Sequence, residues 1–77
     1  MAKEALAKLN AKQTNYLEVL SSLINRAKVN NLQMEFDNKR GKLRGYLECL
    51  CDMGVITASE VKALYLWYFS ENRNKTL

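Results

Sequence analysis

The chain has 77 residues, with twelve Lys and Arg against eight Asp and Glu, a net charge of +4, three glycines and neither histidine nor proline. That length excludes a second domain and leaves a thin core, because a chain of this size buries only ~60% or a little more of its unfolded surface. Without imidazole there is no histidine-based triad or general base and no zinc site that needs one, and the scarcity of turn residues argues against an all-β fold.

In chain order, the first predicted helix runs from Ala2 to about Lys28. Leu6, Leu9, Gln13, Tyr16, Leu20, Leu23 and Ala27 follow a 3-4-3-4 spacing, and Leu17 and Ile24 widen the stripe to that of a core-facing helix. Gln13 is the one polar member of this seam. Asn15 with Glu18 offers an internal cap, so residues 1–14 are expected to fray or bend away. Val29-Asn30-Asn31 ends the helix, because asparagine tolerates the left-handed backbone of a helix terminus and can cap the next helix.

The second predicted helix runs from Leu32 to Met53, with Leu32, Phe36, Leu43, Tyr46, Leu47, Leu50 and Met53 on one face and Gly54 as its stop. Thr57-Ala58-Ser59-Glu60 is a capping box: Thr57 caps a backbone N–H and Glu60 reaches back to Thr57. Ile56 precedes it and can staple onto Val61. The third helix is predicted from Ala58 to about Asn72, followed by a loose tail over 73–77. The fold class expected is all-α: one domain over 1–77, a small antiparallel three-helix bundle with a long first helix, oligomerising through the third. The string from Asp52 to Glu60 is similar to the turn in short bacterial helical modules of the SHOCT type; the resemblance covers only that turn and implies no function.

Cys49 and Cys51 would point about 200° apart on a helix, at ~100° per residue, so they neither pair nor share a metal. They read as small core-filling residues in a reducing compartment. No signal peptide is evident, and the longest apolar run, Ala63 to Phe69, is too short for a bilayer, which needs ~20 residues. The expected location is the cytoplasm. Eight asparagines and eight lysines, residues with A/T-rich codons, point to an AT-rich genome, such as that of a low-GC bacterium, its phage or a mobile element.

Three features stand out as candidates for function. Lys39, Arg40, Lys42 and Arg44 place four cations in six residues and could contact phosphates. On a helix they spread around much of the circumference, and Glu48 can pair with Arg44 at i,i+4, which is the pattern of a solvated face. Gly41 and Gly45 each cost ~1 kcal/mol against alanine inside a helix. They mark either a close approach by a partner backbone or a turn over 37–41. The run Ala63 to Phe69 is the third. Val61, Leu64, Tyr65 and Tyr68 form its core-facing stripe, which leaves Leu66, Trp67 and Phe69 as the centre of a predicted protein interface. The alternative tucks Trp67 and Phe69 beneath the N-terminal segment.

No paired-carboxylate cleft, phosphate loop, metal cluster or nucleophile–base pair can be assigned, so no enzyme, cofactor or small-molecule substrate is expected. The sequence reads as a small helical protein-interaction module, self-associating or binding a larger protein as an adaptor or inhibitor. The second reading is a DNA- or RNA-binding regulator using the basic segment. The strongly apolar third helix is unsuited to lying in a groove of a duplex.

Overall fold

A computed structural model describes residues 2–69 of the chain, and all the regular structure among them is helical. These residues form four helices: α1 (Ala2–Ala7), α2 (Ala11–Val29), α3 (Gln33–Asp52) and α4 (Ala58–Phe69). The last predicted residues of the third helix, to Asn72, and the 73–77 tail lie outside the described residues.

The helix predicted over 2–28 is two helices, which corrects the expected long first element. Lys8 and Leu9 close the end of α1 with i→i−3 hydrogen bonds to Ala5 and Leu6. Asn10 is extended, and its side-chain carbonyl accepts from the Gln13 N–H at 2.8 Å while the Gln13 side chain accepts from the Asn10 N–H at 2.9 Å. The internal cap therefore sits at Asn10 rather than Asn15, and Gln13 is a capping residue rather than a member of a packing seam. Residues 2–7 are helical and docked: Ala5 is fully buried, and Lys8 reaches Glu60 of α4 at 2.8 Å.

The next two helices end alike. After α2, the Leu32 N–H donates to the Ala27 carbonyl at 2.9 Å, the Asn31 N–H donates to Lys28 at 3.3 Å, and Asn31 takes φ +57°. After α3, Val55 donates to Leu50 and Gly54 to Cys51, both at 2.9 Å, with Gly54 at φ +80°. Both are Schellman closures, which need a left-handed residue just past the cap. Neither asparagine caps α3; its N-cap is Leu32, which has no side-chain hydrogen bond. The helix then runs unbroken through residues 37–41, so no turn lies there. The capping box at α4 forms as predicted, with Thr57 N–H donating to Glu60 at 2.8 Å and Glu60 N–H donating to Thr57 Oγ1 at 3.2 Å.

The core lies where α2, α3 and α4 meet. Leu17, Leu20 and Ile24 of α2 pack with Leu43, Leu47 and Leu50 of α3 and with Val61, Leu64 and Tyr68 of α4, joined by Ala5 and Ile56. Consecutive long helices run antiparallel: Tyr16 meets Tyr46 across α2–α3, and Phe36 meets Phe69 across α3–α4. A buried polar link ties α2 to α4, where the Ser21 hydroxyl donates to the Tyr68 carbonyl at 2.8 Å. Several residues assigned to the predicted core stripes are exposed instead, among them Tyr16, Leu32 and Met53.

Candidate interaction surface

The apolar run of α4 divides among three neighbours. Leu64 and Tyr68 enter the core. Tyr65 and Phe69 turn toward α3, where their rings stack at 5.7 Å and Phe69 meets Phe36 edge-on at 5.6 Å. Trp67 is half-buried and packs against the core. On the helical wheel it lies ~20° from Glu60, the residue that pairs with α1. Leu66 alone in this run stays largely in water, 55% exposed. The structure therefore does not bring Leu66, Trp67 and Phe69 together: Phe69 meets Phe36 of α3, Trp67 packs against the core, and Leu66 is exposed.

Leu66 forms one wall of a groove between α3 and α4. Two adjoining depressions of about 490 and 300 Å³ share Arg44, Ala58 and Val61 as lining. The larger adds Lys62, Tyr65 and Leu66; the smaller adds Glu48, Cys51 and Asp52. Apolar side chains thus form the floor and charged ones the rim. The sequence carries a signal for this groove that the core stripes do not reveal. Ala58, Lys62 and Leu66 recur every fourth residue on the outer face of α4, and Arg44, Glu48 and Asp52 do the same on α3.

The four cations of α3 face different surroundings. Arg44 lies over the Tyr65 ring at 5.7 Å and pairs with Glu48 at 3.1 Å. Arg40 lies over Phe36 at 5.7 Å and pairs with Asp37 at 3.4 Å. These cation–π contacts use the two guanidiniums as covers for the aromatic cluster. Lys39 is half-buried on the opposite flank beside Leu23 and Leu32 of the α2–α3 side, while Lys42 is exposed. Gly41 and Gly45 lie on the exposed face of α3, and an added Cβ at either meets nothing within 4 Å. No close approach within the described chain explains them.

Glu60 is a buried acid that joins α4 to Lys8 and to its own N-cap. The Lys8 ammonium, followed by the Thr57 N–H, holds its carboxyl below the ordinary value of 4.5. Burial pushes the Tyr46 phenol up, with Tyr16 and Cys49 adding to the shift. Cys49 is exposed, against the expectation of a core-filling residue, and its thiol lies 3.8 Å from the Met53 sulfur; Cys51 is half-buried at the groove. Among the described residues no cluster of His, Cys, Asp or Glu could hold a metal ion, and no helix is long and apolar enough to cross a membrane. Sequence reasoning also missed an apolar tip at the α2–α3 turn, where Val29 and Met34 are 70% and 86% exposed. No family model matches the chain, and no curated protein or solved structure is significantly similar to it.

Proposed function

We propose that the chain is a small helical protein-interaction module, with α2, α3 and α4 acting as an antiparallel bundle that presents the α3–α4 groove to another protein. The observation that carries this reading is the groove itself: buried Val61 and half-buried Tyr65 and Cys51 line it together with exposed Ala58 and Leu66 and with charged side chains. Apolar centres with polar rims are the anatomy of protein interfaces. Two roles fit, self-association or docking on a larger protein as an adaptor or inhibitor. Nucleic-acid binding has less support. Arg40 and Arg44 are engaged with acids and rings of their own chain, and Lys39 faces the opposite flank.

The test is a comparison of the parent with Leu66→Asp, each immobilised and exposed to a lysate of the source organism and to the free chain. The reading expects a protein retained by the parent and lost from the variant, with far-UV circular dichroism unchanged. Equal retention by both chains would remove the groove from function.

A further inference from the structure

Apart from Arg44, which lines both depressions of the groove, the two are lined by different charges. Lys62, with Tyr65 and Leu66, lines only the larger, whereas Glu48 and Asp52, with Cys51, line only the smaller. Arg44 and Glu48 satisfy one another at 3.1 Å. That leaves Lys62 and Asp52, both exposed and neither in an ion pair among the described residues. Asp52 sits in the last turn of α3, where the helix dipole disfavours a carboxylate and where no basic residue offsets it. Local helix energetics therefore do not account for an acid at this position.

We infer that the groove docks a second copy of this chain, related by a two-fold axis, with Lys62 of each chain against Asp52 of the other. The inference rests on reading the groove as a protein-docking surface. A groove with a free base in one half and a free acid in the other is complementary to itself. A two-fold rotation about an axis perpendicular to the groove reverses its direction and sets base on acid twice. A foreign partner would have to supply a matching pair at matching spacing, whereas a second copy carries it by construction. The size is attainable: a standard interface takes ~800 Å² from each partner, about 15% of the 5252 Å² that this chain exposes.

The experiment is sedimentation equilibrium of the full chain at low salt, up to about 500 µM. The parent should approach twice the 8.9 kDa chain mass. Lys62→Glu and Asp52→Lys each set like charges together at two places and should each weaken the dimer by ~10-fold or more. Asp52→Lys suits the C-terminal end of α3, and Lys62→Glu changes an exposed position of α4, so circular dichroism should show the fold retained. Mixed in equal amounts, the two variants should regain the dimer. At one contact the introduced glutamate of the first variant meets the introduced lysine of the second; at the other, the original Lys62 and Asp52 meet. A parent that stays monomeric over the range overturns the inference. So does a dimer that neither reversal weakens, or a mixture that does not recover. If the parent is monomeric yet still retains another protein in a Leu66-dependent way, the second copy is refuted and the docking surface stands.

Discussion

Two leucines on α4, two residues apart, offer a direct test of how this helix divides its surface. Leu64 is fully buried, whereas Leu66 is 55% exposed and lies ~160° away around the helix. Truncating a buried leucine to alanine removes its transfer free energy and leaves a cavity, together ~2–5 kcal/mol. A chain of this length has a total stability of only ~4–12 kcal/mol, at ~0.05–0.15 kcal/mol per residue. Leu64→Ala should therefore remove a large share of the stability. Leu66 buries less than half of its surface, and full burial of a leucine is worth ~1.5–3 kcal/mol, so Leu66→Ala should cost ~1 kcal/mol or less. Urea unfolding followed by far-UV circular dichroism measures both. Run at low micromolar concentration, the measurement reports the chain alone; at higher concentration any loss of association adds to the Leu66 cost, because binding stabilises by mass action. Equal costs at low concentration would place Leu66 in the internal core and refute the division.

Three further outcomes follow from the geometry. The depressed Glu60 carboxyl contributes stability that is present above its unfolded value of 4.5 and lost as pH falls through its lower folded value; Glu60→Gln should flatten the acid side of the urea-midpoint profile, and an unchanged profile would deny the Lys8 pair any role. Gly41→Ala and Gly45→Ala should each stabilise by ~0.5–1 kcal/mol, since both are helical with open space where the Cβ would go, while Gly54→Ala should destabilise by ~1 kcal/mol or more because it holds φ +80°; thermal unfolding reads the sign of each. Replacing Arg40, Lys42 and Arg44 by Gln should change binding to random duplex DNA little, and a clear loss with a flattened salt dependence would favour the nucleic-acid reading.

The parts of the fold legible in the sequence are those fixed by local chemistry. Gly54 and the Thr57–Glu60 box act within a few residues, so their effect depends little on what packs above them. The break at Asn10 was not legible for a specific reason. Asn10 with Gln13 and Asn15 with Glu18 are competing capping boxes, and glutamate is as good a partner as glutamine. The choice is settled elsewhere: Leu17 is fully buried, which needs helix through 15–18, and Lys8 meets Glu60 fifty-two residues on. The site was partly legible. Leu66 could be singled out from the helical wheel alone, because it lies opposite the Val61 stripe. Phe69 could not, because its neighbour Phe36 lies on another helix, and the assignment depends on how α3 and α4 are paired.

That pairing changes what kind of association the surface can support. The seven-residue apolar run suggested an interface built on three large side chains, but α3 takes Phe69 and Tyr65, and Trp67 packs against the core. One half-exposed leucine per chain contributes ~2–3 kcal/mol to a dimer, against a cost of ~4–15 kcal/mol for lost translational and rotational freedom. Leu66 alone cannot hold two chains together. Covering the floor of Val61, Tyr65 and Cys51 has to supply the remainder, and charge has to select the register. Association through this groove is thus expected at micromolar to sub-millimolar Kd and should weaken with salt, since Lys62 and Asp52 lie at the exposed rim. Such an interface is specified more by where its charges sit than by the apolar area it covers, which is why a charge exchange between Lys62 and Asp52 is a sharper test of it than truncation of Leu66.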